Sequence, residues 1–293
     1  MSLRIGVLGA SRIAENAIVG PARELGLRLV AVAARDPLRA KAFAERYGVE
    51  RAVASYQEVI DDPDVDIVYN PLANSLHAPW NLAAIAAGKP VLTEKPFARD
   101  RAEAARVATA AKAAGVAVME GFHYLFHPVM RRALELAGDG TLGELARIEV
   151  AMGMPEPAPG DPRWSLDMAG GALMDLGCYA LHIMRRFGTP RVVSATAVER
   201  TPGVDERFDA EFVFDSGATA STTNSMVDDE HSFTLRVVGS HGEVLVHDFI
   251  NPRRDDRLTI TTPYYVPEQP LDAAIRTVAR RGVRVTLILP ERN

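Results

Sequence analysis

Small residues at fixed spacing mark the stretch Gly6-Val7-Leu8-Gly9-Ala10-Ser11-Arg12-Ile13-Ala14. An apolar run leads into it and a helical pattern leads out. Phosphate oxygens reach main-chain N–H groups only where side chains stand back, and the positive end of a helix dipole then favours their charge. Gly9 permits the tight turn, Ala14 lets helix and strand pack closely, and Ala10, Arg12 and Ile13 line the same turn. Ser11 stands where a second glycine is usual; its side chain intrudes, yet its hydroxyl can donate to phosphate. The spacing points to a dinucleotide pyrophosphate.

A second apolar run ends in Ala33-Ala34-Arg35-Asp36. An acid here would bind the adenosine ribose hydroxyls of NAD, whereas an arginine would pair with the 2′-phosphate of NADP. Arg35 comes first, which favours NADP. NAD stays open, with Arg35 solvated and Asp36 on the ribose.

Thr93-Glu94-Lys95-Pro96 closes a further apolar run. If a dinucleotide takes hydride from a secondary alcohol, a second group must take the hydroxyl proton within hydrogen-bond reach. Lys95, set against apolar walls, suits the role of base or oxyanion-stabilising donor. Pro96 restricts the local path, which argues against a mere surface lysine.

The elements that must position these groups follow from periodicity. Leu3–Leu8, Arg28–Ala33, Asp66–Tyr69, Pro90–Thr93 and Val116–Glu120 read as buried strands. Ile13–Leu25, Pro37–Tyr47, Tyr56–Ile60, His77–Ala87 and Arg101–Ala114 read as helices between them, with Ser55 and Asp100 as N-caps and Gly48, Gly88 and Gly115 past helix ends. Alternation of this kind requires a parallel sheet with helical crossovers, an α/β Rossmann domain over residues 1–121. Beyond it lie one helix, Pro128–Ala137, and strands Ala146–Met152, Val192–Glu199, Arg207–Phe214, Ala218–Ser225, Phe233–Val238 and Glu243–His247. They predict an α+β domain over 122–257 with an open, mostly antiparallel β-sheet. Residues 258–293 form an atypical tail, with a helical segment Leu271–Arg281 and strand-like Val283–Leu289.

Bulk composition narrows the function classes. The 293 residues are 47% hydrophobic and carry a net charge of −5, which gives no electrostatic reason for a nucleic acid or anionic membrane partner. No apolar run approaches the roughly 20 residues of a bilayer span, and no signal peptide is visible, so a cytoplasmic location is expected. The single cysteine, Cys178, excludes an intrachain disulfide and a cysteine zinc site, and no metal is expected. Cys178 itself reads as a small core residue.

The Gly6–Ala14 turn, Asn74-Ser75-Leu76-His77, Glu94-Lys95-Pro96, Met119-Glu120-Gly121-Phe122-His123-Tyr124 and Gly170-Gly171-Ala172-Leu173-Met174-Asp175-Leu176-Gly177-Cys178-Tyr179 occur in that order. Together they resemble the glucose-fructose oxidoreductase / inositol dehydrogenase (Gfo/Idh/MocA) family over about residues 2–257. The chain is most similar to the branch of dihydrodiol dehydrogenases and NADP-dependent aldose dehydrogenases. The resemblance implies hydride exchange between NADP or NAD and a hydroxyl or carbonyl of a sugar, cyclic polyol or dihydrodiol-like small molecule. It implies Lys95 as the catalytic lysine, Tyr179 as proton-transfer partner and Asp175 as its companion, four residues apart and so on one helix face. It also implies cofactor contacts from Asn74, His77, Glu94 and Glu120, and a homodimer or higher oligomer built on the open sheet. His182, Trp164 and His123 rank second as substrate contacts. Leu125 departs from the family's usual arginine. A fold that retains binding without chemistry, a dinucleotide or sugar sensor, is the alternative. The tail resembles a fragment of the phospholipase D / cardiolipin synthase superfamily, without its histidine-x-lysine motif.

Overall fold

The computed structural model describes residues 2–251, 258–261 and 285–288. The chain divides into two units, residues 1–121 with 167–169, and 122–166 with 170–293.

In the first unit, strands β1 (Arg4–Leu8), β2 (Arg28–Ala33), β3 (Arg51–Ala52), β4 (Ile67–Asn70), β5 (Val91–Thr93) and β6 (Val118–Glu120) form one sheet of order β3-β2-β1-β4-β5-β6. All its pairings are parallel. Strand order reverses between β1 and β4, and in such sheets ligands bind beyond the carboxyl ends at that point. Helices α1 (Gly20–Glu24), α2 (Pro37–Tyr47), α3 (Tyr56–Asp61), α4 (His77–Ala86) and α5 (Arg101–Ala114) link the strands. Val7, Leu8, Val30, Val32 and Val68 are fully buried, as strands covered on both faces require. Local signals set the helix ends: Ser55 and Asp100 accept from the N–H groups of Glu58 and Glu103, and Gly48 and Gly115 take left-handed conformations. Strand β3 is the element periodicity does not announce, because its two residues are exposed and carry no apolar signal. A π-type turn, Glu15–Val19, interrupts the helix after β1.

In the second unit, β7 (Leu145–Gly153), β8 (Arg191–Thr201), β9 (Val204–Val213), β10 (Thr219–Ser225), β11 (Ser232–Gly239), β12 (Gly242–Val246), β13 (Leu258–Thr261) and β14 (Val285–Ile288) form a sheet of order β14-β13-β12-β11-β7-β10-β9-β8. Its pairings are antiparallel except β7 with β10 and β13 with β14. Helices α6 (Pro128–Gly138) and α7 (Cys178–Met184) join one face in a single core that includes Met130, Leu136, Ile148, Met152, Ile183 and Leu235. On β7, β11 and β12, Arg147, Glu149, Arg236 and Glu243 form a ladder of ion pairs instead. The strand expected at Val283–Leu289 is present as β14, and β13 precedes it, so the tail contributes two strands to this sheet. The helix expected over Leu271–Arg281 lies outside the described residues. Among the described residues no helix is long and apolar enough to cross a membrane.

Candidate active site

The carboxyl end of β1 runs into the turn that the sequence assigns to pyrophosphate. Gly9 has φ +95° and donates its N–H to the Ala33 carbonyl at 2.7 Å. A Cβ there would stand 2.8 Å from Leu72 Cδ2, and one on Gly6 would stand 2.6 Å from Val59 Cγ1. Both positions therefore demand glycine. Ser11 Oγ is shielded from solvent and has no hydrogen-bond partner. A hydroxyl in that state costs free energy until a ligand oxygen meets it, and a phosphate is chemically suited to do so. Arg12 and Ile13 are exposed beside it, and Ala10 is half-buried.

At the end of β2, Arg35 is exposed. The Asp36 carboxylate is engaged as the N-cap of α2, accepting from the Leu38 N–H at 2.9 Å. Arg39, one turn into α2, donates from a terminal nitrogen to the Ala10 carbonyl at 2.9 Å. That side chain thereby links α2 to the phosphate turn. Sequence reasoning missed it, although a basic residue four positions beyond Arg35 was the available signal. These residues fit a dinucleotide, with Arg35 exposed at the end of β2.

Lys95 follows β5, and the Lys95–Pro96 peptide is cis. Two residues shape this corner. Glu94 accepts from the Tyr69 hydroxyl at 2.8 Å. His77, fully buried at the start of α4, places Nδ1 2.6 Å from the Pro96 carbonyl and Nε2 2.9 Å from the Leu72 carbonyl. Burial pushes the imidazole pKa down, against the pull of those two carbonyls. The two carbonyls that flank the His77 ring belong to the loops after β4 and β5. The ring braces the loops that follow β4 and β5: in its neutral form it donates its single N–H to one of these carbonyls and packs against the other. Asn74 likewise donates to the Ala169 carbonyl at 2.9 Å. Glu120 closes β6 half-buried, and burial pushes its carboxyl up to about 7, opposed by a main-chain hydrogen bond from Phe97 and the charge of Lys95. Gly121 leaves room there: a Cβ would stand 3.3 Å from the Thr93 carbonyl and 3.5 Å from the Glu94 carboxylate.

Asp175 and Tyr179 lie in the second unit, on a helix that opens with a π-type turn, Leu173–Gly177, and continues as α7. A π-turn inserts one residue into a helix and re-aims the side chains around it. The segment has no side-chain cap of its own. Asp205 of β9 supplies one, accepting from the Leu173 N–H at 2.8 Å. Burial pushes the Asp205 pKa up, and that N–H holds it down. Gly171, at φ +112°, makes the space: a Cβ there would overlap the Asp205 carboxylate. Asp175 is ion-paired through Oδ2 with Arg163 Nε at 2.9 Å. Neither partner is legible from spacing, since Arg163 and Asp205 are distant in the chain.

Tyr179 is buried among aromatic rings, edge-on to Phe122 at 5.3 Å and near His123 and Tyr124 at 6.4 and 6.0 Å. His182 stacks on Phe122 at 3.9 Å, and its Nδ1 lies 2.7 Å from the Tyr124 hydroxyl. Burial, with Arg186 and Arg185 nearby, pushes His182 down to about 4, so it is neutral at physiological pH. Its geometry is that of a satisfied packing residue. His123 Nε2 meets the Ile250 carbonyl at 2.9 Å, and Trp164 donates to the Pro157 carbonyl while the Arg200 guanidinium lies 4.4 Å from its ring centroid. Cys178 is half-buried, with Sγ 3.7 Å from the Asp175 carbonyl. The structure thus gathers Lys95, Glu94, His77 and Glu120 in the first unit, and Asp175, Tyr179, His123 and His182 in the second.

Comparison with known proteins agrees with this architecture. Residues 3–122 match the model of the oxidoreductase family with an NAD-binding Rossmann fold, and residues 130–245 match the GFO/IDH/MocA C-terminal domain. The chain is 36% identical over 276 residues to D-xylose 1-dehydrogenase (NADP(+)) 2 of Haloferax volcanii, covering 92% of this chain and 84% of that one. It is 34% identical to trans-1,2-dihydrobenzene-1,2-diol dehydrogenase of Mus musculus, covering 77% and 69%. Among solved structures, a 3-ketoreductase from Actinomadura kijaniata in complex with NADP and TDP-benzene superposes with a TM-score of 0.80 at 28% identity, covering 98% of this chain and all of that one. A match of that extent takes in residues beyond 257. The tail's resemblance to phospholipase D finds no support, and its strands belong to the second sheet. By its two matched domains and its relatives, the chain belongs to the Gfo/Idh/MocA oxidoreductase family.

Proposed function

We infer that this NAD(P)-dependent oxidoreductase works on a ring carbon bearing a hydroxyl or keto group in a sugar, cyclic polyol or dihydrodiol-like molecule, with NADP preferred. One observation carries the reading: Lys95 stands at the carboxyl edge of a parallel sheet whose β1 turn is shaped for pyrophosphate. The preference for NADP rests on exposed Arg35, on Arg39 beside the phosphate turn and on Asp36 being engaged as a cap. The nicotinamide, when bound, supplies the acceptor or donor of hydride.

The remaining chemistry falls to side chains. In the oxidising direction the substrate C–H bond breaks with its electron pair leaving as hydride, and the O–H bond breaks with its proton leaving to a base. Tyr179, as its phenolate, takes that proton and becomes the phenol, and Lys95 donates to the substrate oxygen as negative charge develops on it. Asp175 accepts from a neighbouring substrate hydroxyl and orients the ring. These assignments come from the family resemblance. A second copy of the chain is the partner proposed for the open sheet face, where Val198 of the edge strand β8, opposite Arg207, is exposed; sedimentation equilibrium reads that directly.

Fluorescence titration with NADPH and NADH tests the cofactor, and turnover of NADP+ with D-xylose, D-glucose, D-galactose and cis- and trans-cyclohexane-1,2-diol tests the substrate class. Lys95→Ala should lower kcat by about 100- to 10,000-fold, as loss of general acid–base or oxyanion assistance does, with NADPH affinity kept. Absence of binding to either dinucleotide, or a fully active Lys95→Ala enzyme, would refute the reading.

A further inference from the structure

We propose that Arg163 is a positioning residue for the reaction, holding the Asp175 carboxylate ionised and aimed. The proposal rests on the reading that Asp175 orients substrate. Arg163 grips the segment that carries Asp175 in two ways. Its Nε donates to Asp175 Oδ2 at 2.9 Å, and its main-chain carbonyl accepts from the Gly171 N–H at 2.9 Å. Gly170 makes the second grip possible, because a Cβ there would overlap the Arg163 carbonyl. The two glycines before Ala172 are thus explained by what presses on them: Arg163 on Gly170 and Asp205 on Gly171.

Arg163 is itself held. Asp161 accepts from its main-chain N–H at 3.0 Å and lies 3.4 Å from a terminal guanidinium nitrogen. The guanidinium therefore sits between two carboxylates, Asp161 and Asp175, whose side chains are only 11% and 13% exposed. Burying a carboxylate to that degree without a cation beside it would favour its protonated form. A protonated Asp175 would donate a proton where the proposed role needs an acceptor. Arginine suits the position because its planar fork addresses two carboxylates from one side chain; lysine supplies charge without that fork. The adjoining Trp164 lies against the Arg200 guanidinium, which is paired with Glu156 at 2.6 Å, so the loop bearing Arg163 is tied at both ends.

The test is a double-mutant cycle read in steady-state kinetics with NADP+ and the most rapidly oxidised compound of the panel above. Arg163→Met keeps the stem and removes the charge; Arg163→Lys keeps the charge alone. Arg163→Met should lower kcat about 10- to 100-fold, the scale of a slightly misplaced orienting group, with NADPH affinity unchanged and Arg163→Lys partly restored. In an Asp175→Asn background the arginine substitution should cost little more, because both changes remove one interaction. Equal losses in both backgrounds would show a general structural role and overturn the inference, as would wild-type kcat for Arg163→Met. Undiminished turnover in Asp175→Asn would instead sink the functional assignment of Asp175. Should the panel yield no turnover, the Asp175 rotamer in a crystal structure of Arg163→Met still decides: a carboxylate left in place refutes the positioning role, and a rotated one supports it.

Discussion

Replacing Gly171 by alanine isolates the contact that starts the Asp175 helix. Gly171 has φ +112°, a conformation that costs an L-residue about 1–3 kcal/mol. The added Cβ would also overlap the Asp205 carboxylate, which now accepts from the Leu173 N–H at 2.8 Å. Displacing that carboxylate removes the only side-chain cap described at this helix start, worth about 1–2 kcal/mol. The two effects together predict a loss of about 2–5 kcal/mol. At about 2–4 °C per kcal/mol for a domain of this size, Tm should fall by roughly 4–20 °C. Thermal unfolding by circular dichroism, with Asp205→Ala and the double variant measured beside it, checks the reasoning. In the Asp205→Ala background the cap is already gone and the space is open, so only the backbone strain remains. Gly171→Ala should then cost about 1–2 kcal/mol less than in the native background. Strict additivity of the two substitutions, or a neutral Gly171→Ala, would refute the coupling read from the structure.

Other consequences can be checked separately. Arg35→Ala should weaken NADP binding about tenfold or more, the worth of a charge-assisted hydrogen bond, with NAD binding little changed, whereas Arg39→Ala, which also removes the tie to the Ala10 carbonyl of the phosphate turn, should weaken both; titrations of both cofactors would decide. Glu120, pushed up to about 7 from an ordinary 4.5, prefers its protonated form in the fold. The folded state therefore binds more protons than the unfolded state between those values. Stability contributed below pH 4.5 should decline as pH rises toward 7 and level off above it. Glu120→Gln should flatten that decline in thermal unfolding of the cofactor-free protein, and an unchanged slope would count against the burial of this carboxyl. His182, pushed down to about 4, should show no protonation in its ring NMR shifts between pH 6 and 8.

The legible parts of this protein were those whose cause is local. Gly9, Ala14 and the strand before them announce a phosphate turn because a sharp turn and close packing admit few residue types. Ser55, Asp100, Gly48 and Gly115 announce helix ends because capping acts within a few residues. Lys95 was marked by the apolar run before it and the proline after it. The strand at Val285–Ile288 could likewise be read from its apolar pattern, although its parallel pairing with β13 could not.

What only the tertiary structure decided are the partners that a sheet or a long crossover brings from afar. Arg163 reaches Asp175, Asp205 reaches Leu173, and the ring of His77 reaches the Pro96 carbonyl in the loop after the next strand. The π-turns at Glu15–Val19 and Leu173–Gly177 leave no compositional mark, since one extra residue in a helix changes geometry without changing residue type. Sequence determines which groups can do chemistry and which local elements carry them. The contacts that settle their charge and aim depend on packing between distant segments, which periodicity along the chain does not encode.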